Sequence, residues 1–253
     1  MNKRERQERI ATAVQASGRV RVTELSEGTG VSEMTVRRDL EEMEAQGLLV
    51  RVHGGAVSTV SRSFEPGFTV RTQRNVDAKE RIGAATAELI RDAETLILDA
   101  GTTTLHVAKA LRPDIHVRVM ALSLHIAAVL ADQPNVTLMI PGAVVRPYER
   151  SFIGGMTIRT FEQLTFDTVV LTSGGVDVES GITEYEFDDA ETKRAALRSA
   201  RRTIVVADAS KLGATAFVKL CPIEDVDVVV TDSGAGEQQI GALRDAGVEV
   251  IVA

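Results

Sequence analysis

The sequence predicts an α/β protein in which an N-terminal winged helix-turn-helix is followed by a Rossmann-like, doubly wound parallel-sheet domain. Two observations support this prediction. Residues 1–57 hold short amphipathic segments and then an alternating segment that ends in paired glycines, which indicates helices followed by a β-hairpin. From residue 76 onward, short runs of Val, Ile and Leu alternate with helical segments, which is typical of a parallel sheet covered on both faces.

The last helical segment of the first domain has the most specific pattern. Val36, Leu40 and Met43 recur at helical spacing and predict one buried stripe. Ser32 is suited to cap the start of this helix, and Gly47 to end it in a left-handed conformation. The following segment, LLVRVHGGA, alternates between apolar and polar residues, so we expect a β-hairpin, or wing, with a tight tip.

The preceding residues fit the same module. Ile10 and Val14 lie one turn apart and predict a first helix. Val20 lies between two arginines, as in a short strand with one buried side chain. We expect Thr23 to cap a second, short helix that ends near Gly30.

The distribution of charge on the third helix points to nucleic acid. In a helix-turn-helix, the N-terminal part of the second helix of the motif enters the major groove of DNA. Here that part carries hydrogen-bond donors, and the acidic residues come later. An isolated helix with two arginines is more often a solvated surface, and a histidine at a wing tip can be a simple turn residue. The ordered set of elements favours double-stranded DNA, and the predicted contact residues are Arg19, Arg21, Ser32, Met34, Thr35, Arg37, Arg38, Arg51 and His53.

The net charge of −7 belongs to the second part of the chain. Residues 1–62 hold 10 Lys or Arg against 9 Asp or Glu, whereas residues 63–253 hold 19 against 27. Phosphate contacts must therefore depend on where the arginines lie, and we expect modest non-specific affinity for DNA. Such a module needs a second copy to find its site, so we expect a homo-oligomer, either a dimer or a tetramer.

Composition excludes several classes of protein. There is no apolar run long enough to span a bilayer, and the charged N-terminus does not resemble a secretion signal. A single cysteine, Cys221, excludes a framework of internal disulfides. We expect a cytoplasmic protein without a membrane partner, in which Cys221 is a buried or half-buried residue and not a nucleophile.

The second domain is predicted to span residues 76–253, after a polar linker at 58–75 that contains Pro66 and Gly67 and has room for a docking segment. The expected strands are 95–100, 117–122, 136–140, 168–172, 203–207, 226–231 and 248–252. The expected helices between them include 79–91, 104–111, 123–132, 189–201 and 236–246.

Polar residues and glycines follow most of these strands, and ligands of such sheets bind at the carboxyl ends of the strands. The segment DAGTTTL is the sharpest example, because free N–H groups at a helix start bind anions such as phosphate. A Gly-Thr-Thr helix start is, however, more often a plain cap, and Lys193 can equally be a surface lysine. The predicted effector-binding residues are Asp99, Gly101, Thr102, Thr103, Thr104, Gly142, Gly174, Gly175, Lys193 and Lys211.

Several of these motifs resemble one family. The segment from Arg6 to Ala56, with TVRRDL and LLVRVHGGA, is similar to the DNA-binding domain of the DeoR family of bacterial transcriptional regulators. KERIG, LDAGTTT, SGGVDVESGIT, ETKRAAL and VADASKLG resemble the family's C-terminal sensor domain, which is similar in fold to ribose-5-phosphate isomerase and glucosamine-6-phosphate deaminase. The resemblance implies a repressor of carbohydrate catabolism genes that a phosphorylated sugar or related metabolite releases from its operator. Pro141-Gly142 stands where many members have Gly-Gly. Arg146 and Arg150, in the stretch 143–153, are features of this sequence that could select a particular ligand.

An enzyme is the alternative, namely a sugar-phosphate isomerase with an appended DNA-binding domain. Proton transfer at a sugar carbon needs a positioned carboxylate or histidine. The carboxylates that could approach the rim are Asp99, Asp177, Glu184 and Asp208. The sequence has no HExxH or CxxC motif, and His106, His116 and His125 lack metal-ligand spacing. We therefore expect no catalytic residues, no metal and no cofactor apart from the effector.

Overall fold

The computed structural model describes residues 2–45, 48–58 and 65–253. Contacts within the chain divide it into two units, Met1–Pro66 and Gly67–Ala253. Gly47 and residues 59–64 lie outside the described residues, so the helix end expected at Gly47 stays a prediction. Residues 67–75, expected to be part of the linker, fall in the second unit.

The first unit is a three-helix module with a small antiparallel sheet. Its elements are α1 (Lys3–Ser17), β1 (Arg19–Arg21), α2 (Val22–Thr29), α3 (Glu33–Ala45), β2 (Leu49–Val52) and β3 (Gly55–Ser58). The strand order is β1-β3-β2. The predicted helical stripes are confirmed, since the fully buried side chains include Ile10, Val14, Val36, Leu40 and Met43.

The starts of α2 and α3 are stabilised differently. Ser32 accepts the N–H of Thr35 at 3.3 Å, as expected of a cap. The expectation for Thr23 was wrong, because α2 already begins at Val22. The carboxylate of Glu24 instead accepts the N–H of Arg21, the residue before the helix, at 3.0 Å.

The wing folds back closely onto β1. β2 and β3 pair around a loop of His53 and Gly54, with Val52 opposite Gly55. A Cβ atom at Gly55 would lie 2.0 Å from the carbonyl oxygen of Val20. Only glycine permits this approach, so the paired glycines set the position of the wing against the helical core.

The second unit contains a seven-stranded parallel sheet. Its elements in chain order are α4 (Phe68–Thr72), α5 (Val76–Ala87), β4 (Thr95–Leu98), α6 (Thr102–Ala110), β5 (Val117–Ala121), α7 (Leu124–Leu130), β6 (Val136–Met139), β7 (Val144–Val145), β8 (Phe152–Ile153), α8 (Gly155–Glu162), β9 (Phe166–Leu171), β10 (Gly175–Asp177), β11 (Gly181–Glu184), α9 (Phe187–Ser199), β12 (Ala200–Val206), β13 (Val218–Cys221), β14 (Val228–Thr231), α10 (Glu237–Asp245) and β15 (Glu249–Val252). All seven predicted strands are confirmed in this sheet, whose order is β15-β14-β12-β9-β4-β5-β6.

The order of the strands fixes where a ligand can bind. From β4 the chain proceeds outward to β5 and β6, and it then returns to the other side of β4 with β9. The sheet therefore has a topological switch point between β4 and β9, where a crevice opens at the carboxyl edge. Neighbouring side chains on β4 enter cores on opposite faces, with Ile97 on one side and Leu96 and Leu98 on the other.

Two smaller sheets were not predicted. β10, β11 and β13 form an antiparallel sheet, and β7 pairs with β8.

Among the described residues, no helix is both long and apolar enough to cross a membrane.

Candidate DNA-contact surface and candidate effector site

The outward face of α3 is exposed over its first turns. Met34 is 75 % exposed, Arg37 and Arg38 are exposed, and Thr35 is half-buried. Arg37 pairs with Glu33 on the same helix at 3.3 Å. Both partners remain about half exposed, so this pair is weak and leaves the guanidinium available to an outside acceptor.

The strand and the wing add cations to the first unit. Arg19 and Arg21 flank the buried Val20 on β1, so both side chains point to solvent. His53 is exposed at the wing tip. Their exposure agrees with a role in DNA contact, which stays a prediction.

Arg51 has a structural role that the sequence did not indicate. Its guanidinium donates to Glu41 at 2.8 Å, and its backbone N–H donates to Glu44 at 2.8 Å. The acidic end of α3 therefore fixes the wing. A phosphate that contacts Arg51 would share it with Glu41.

A buried ion pair that sequence reasoning missed holds α3 in place. Arg6 of α1 donates to both carboxylate oxygens of Asp39, at 2.5 and 3.0 Å, and Asp39 is 2 % exposed. The sequence could have indicated this burial, because Asp39 comes three residues after Val36 and thus lies on the buried side of α3. This pair fixes the orientation of the helix that presents Arg37 and Arg38.

The switch point of the second unit contains a closed network of charged groups. Asp99, directly after β4, accepts the N–H and the hydroxyl of Thr172 at 2.9 and 2.8 Å. The ammonium of Lys193 lies 2.8 Å from the same oxygen, donates to the carbonyl of Thr172 at 3.0 Å, and also bonds to Glu184. Lys193 of α9 thus joins groups from three strands, because Asp99 follows β4, Thr172 follows β9 and Glu184 ends β11.

Electrostatics keep this network charged. Burial alone would lower the pKa of Lys193, but the carboxylates of Asp99 and Glu184 more than offset burial, so that its pKa is raised. Burial likewise acts to raise the pKa of Glu184, and the charge of Lys193 outweighs it, so that the pKa of Glu184 lies below its ordinary value. The charge of Lys193 is therefore already matched by two carboxylates, and it is not the surface lysine of the alternative interpretation.

The start of α6 lies beside this network. A Cβ atom at Gly101 would lie 2.4 Å from the hydroxyl oxygen of Thr172, so only glycine lets α6 begin so close to β9. No side chain among the described residues caps this helix start. The hydroxyl of Thr104 donates to the carbonyls of Asp99 and Gly101, so it stabilises the turn, whereas Thr102 and Thr103 occupy the first turn itself.

Lys79 of α5 is the main residue that the prediction of the site omitted. Residues near the start of α5 line a cleft with residues after β12 and β14, so α5, like α6, begins at the carboxyl edge of the sheet. Gly83 of α5 packs against His106 of α6. Lys79 lies one turn before Gly83, and Thr102 lies one turn before His106, so both residues lie toward the starts of two helices that begin at the same edge. The available signal was the KERIG segment itself, in which a lysine precedes a glycine by one turn.

The surroundings of Lys79 are cationic. Its ammonium is buried and donates to the carbonyl of Arg71. Burial lowers the pKa of Lys79 to about 8; nearby Asp208 acts against this shift, and the charges of Arg71, Lys211 and Arg74 add to it. An anion placed here would gain from several positive charges.

Lys211 lies in a short 3₁₀ turn after β12 and is half-buried. Its ammonium lies 3.2 Å from the hydroxyl of Tyr185 and 5.3 Å from the centre of that ring. Tyr185 follows Glu184 in the chain and donates a 2.8 Å backbone bond to its carboxylate. Lys211 thus joins the same edge of the crevice as Lys79 and Lys193.

The predicted glycines differ in position. The carbonyl of Gly174 accepts a hydrogen bond from the hydroxyl of Tyr185 at 3.3 Å. Gly175 begins β10, and a Cβ atom there would lie 2.1 Å from the carbonyl oxygen of Ala214. Gly142 is exposed after β6, which is two strands, or roughly 10 Å, from β4. The structure brings Gly174 near the crevice and leaves Gly142 at its far side.

Three further residues that the sequence analysis singled out, Arg146, Asp208 and Cys221, have contacts or properties of their own. Arg146 forms ion pairs with Asp189 and Glu186, so part of its charge is matched within the second unit. Asp208 accepts bonds from the N–H and the hydroxyl of Ser210. Cys221 is half-buried, and burial raises the pKa of its thiol to about 12, which agrees with an unreactive residue.

Comparison with known proteins gives the same two-part division. The DeoR-like helix-turn-helix domain model matches residues 6–62, and the DeoR C-terminal sensor domain model matches residues 74–233. The glycerol-3-phosphate regulon repressor of Escherichia coli K12 is 32% identical over 250 residues, which cover 99% of each chain. The HTH-type transcriptional regulator GlpR of Haloferax volcanii is 32% identical over 247 residues, covering 98% of this chain and 96% of the relative.

A solved structure is similar to part of the chain. Ribose 5-phosphate isomerase A from Methanocaldococcus jannaschii superposes with a TM-score of 0.41 at 15% identity, over 54% of each chain. At this level the likeness bears on neither ligand nor activity.

Proposed function

The chain belongs to the DeoR family of transcriptional regulators, and we propose that it represses genes of carbohydrate catabolism and leaves its operator when a phosphorylated sugar or related metabolite binds in the crevice of the second unit. The observation that carries the proposal is the start of α6 at the switch point, where no side chain of the described residues caps the helix, with the cations Lys79 and Lys211 close to each other at the same edge of the sheet.

The chemistry of the crevice suits a phosphate monoester. The first N–H groups of α6 are donors to a phosphate, and Lys79 and Lys211 supply positive charge. Lys193 is matched by Asp99 and Glu184, so we assign it to positioning those carboxylates and not to the phosphate. We propose that these carboxylates also accept hydrogen bonds from hydroxyls of the sugar.

The names of the relatives support a phosphorylated effector. The similar protein of Escherichia coli K12 is a glycerol-3-phosphate regulon repressor. A ligand with a phosphate at one end and hydroxyls at the other matches the two parts of the crevice.

Replacing Lys211 with Ala tests the assignment of the phosphate site. Removing one charged donor should weaken a phosphorylated ligand about tenfold and leave its dephosphorylated form unaffected. Glycerol 3-phosphate, fructose 6-phosphate and ribose 5-phosphate, each against its dephosphorylated form, are suitable probes for calorimetric titration. Lys109→Ala is a matched control, because Lys109 is exposed in the last turn of α6. Equal binding by the two variants would remove Lys211 from the site.

The isomerase alternative is motivated by carboxylates beside a lysine in the crevice. We propose that Asp99 and Glu184 bind ligand without catalysing its conversion, in accord with the repressors and regulators among the relatives. Incubation with the same sugar phosphates, followed by product analysis, separates the two functions. Conversion that disappears in Glu184→Gln would establish the enzyme.

We further propose that the protein binds DNA as a homo-oligomer. The near balance of charge in residues 1–62 gives a single module little non-specific affinity. Two linked modules raise the effective concentration of the second contact. Sedimentation velocity at micromolar concentration tests this, and a monomer with full operator affinity would contradict it.

A further inference from the structure

The α4 segment, residues 67–75, is the first part of the second unit. It follows Pro66, the last residue of the first unit, and ends at Asn75, immediately before α5. The ring of Phe68 stacks on His125 with centroids 3.9 Å apart, and the N–H of Phe68 donates to Glu149 at 2.9 Å. The segment that continues the chain from the DNA-binding unit is therefore fixed on the sensor unit.

The rest of this attachment involves the candidate effector site. Arg71 forms an ion pair with Glu149, and its carbonyl accepts the ammonium of Lys79. The same carbonyl accepts the backbone N–H of Arg74 at 3.3 Å. Arg71 also lies close enough to Glu184 for its charge to act on that carboxylate. The α4 segment thus contacts Lys79, and the charge of its Arg71 also reaches Glu184 in the network of Lys193.

Arg74, a half-buried residue of this segment, has unused donor capacity. Its Nη2 atom is buried and has no hydrogen-bond acceptor among the described residues. Its charge acts on Lys79 together with that of Lys211. A buried guanidinium nitrogen without an acceptor is unfavourable, and the charge of nearby Lys79 adds to the gain from an anion bound here.

We propose that Arg74 is an effector-binding residue, and that the anionic group held at the start of α6 by Lys79 and Lys211 is also bound by Arg74. The proposal rests on the function proposed above. It makes the α4 segment part of the effector site. Binding of the anion then restrains the segment that leads directly to the DNA-binding unit, which gives ligand binding a structural route to the operator.

Arg74→Gln tests the assignment in the full chain, with inorganic phosphate and glycerol 3-phosphate as probes. Gln retains hydrogen-bonding groups but loses the charge, so both probes should bind about tenfold more weakly in calorimetric titration. Arg74→Lys should restore part of the affinity. Arg198→Gln is the matched control, because Arg198 is exposed in the last turn of α9, before β12 and thus at the amino edge of the sheet.

Hydrogen–deuterium exchange of peptides covering residues 67–75 supplies a second readout. Phosphate should slow exchange in the parent protein and in Arg198→Gln, and have little effect in Arg74→Gln. If Lys211→Ala weakens phosphate binding while Arg74→Gln equals the control, the present inference fails and the phosphate site stands. If neither probe binds the parent protein, the proposed phosphate site and this inference fail together.

Discussion

Replacing Lys193 with Met should destabilise the second unit strongly. Lys193, Asp99 and Glu184 have side-chain exposures of 5, 2 and 7 %. Met fills a similar volume but leaves two buried carboxylates without their cation. Breaking a buried ion pair by removing one partner costs about 3–5 kcal/mol. The bonds from Thr172 still satisfy Asp99, so Glu184 should account for most of the loss.

The loss should depend on pH. In the parent protein the pKa of Glu184 is lowered, so its contribution to stability is present above its ordinary pKa and is lost as pH falls through the lowered value. In Lys193→Met, burial is opposed only by the N–H of Tyr185 and the charge of Arg71, so we expect the pKa of Glu184 to rise. The protonated carboxyl of Glu184 then contributes its full stability to the folded variant below its ordinary pKa. This contribution is lost as pH rises through the raised value. The difference between parent and variant should therefore be larger at pH 8 than at pH 5.

Tyrosine fluorescence during urea unfolding is a suitable assay. The chain has no Trp, and its two tyrosines, Tyr148 and Tyr185, both lie in the second unit. With a denaturant slope of about 2 kcal/mol per molar urea, a loss of about 4 kcal/mol shifts the midpoint by ~2 M. Lys193→Met combined with Glu184→Gln should recover much of this shift. Equal midpoints for parent and Lys193→Met at pH 8 would refute the account of the network.

Three further outcomes are expected in the first unit. Arg37→Ala and Arg38→Ala should each weaken operator binding by about 1–3 kcal/mol if the arginine contacts a base, with effector binding unchanged; unaltered affinity in both would remove α3 as the reading helix. Gly55→Ala should displace the wing from β1, seen as faster amide exchange in β3, and unchanged exchange would show that the close approach to Val20 is not required. Asp39→Asn should leave Arg6 partly unmatched at a cost of about 1–3 kcal/mol, measured by amide exchange in α1 and α3, and protection equal to the parent would contradict this.

The strands of the large sheet were predictable because each contains a short apolar run. The central strands are buried on both faces, whereas the edge strands β6 and β15 are only partly buried. The run that contains Leu96, Ile97 and Leu98 places side chains in two cores, so no polar position interrupts it. The antiparallel sheet of β10, β11 and β13 was not predictable from periodicity. β11 pairs with β13 across more than thirty residues, with Thr183 opposite Lys219, and no local pattern encodes that partnership.

The candidate effector site was only partly predictable. The segment DAGTTTL marks the start of α6 because a strand end, a glycine and a helix start are adjacent in sequence. The burial of Lys79 and the pairing of Lys193 depend on the packing of α5 against α6 and of α9 against β9. A lysine in an amphipathic helix looks the same in sequence whether it is solvated or enclosed. The contribution of Arg74 was hidden for the same reason, since its segment has the polar composition of a linker.

Operator binding in the presence of a phosphorylated ligand tests the central proposal most directly. An operator selected by the protein from random duplex DNA can be labelled, and its binding followed by fluorescence anisotropy at constant salt. Saturating amounts of the phosphorylated probe that binds in calorimetry should weaken operator affinity about tenfold or more, and its dephosphorylated form should have no effect. Unchanged affinity with every phosphorylated probe, or tighter binding, would contradict a repressor that a phosphorylated metabolite releases from DNA.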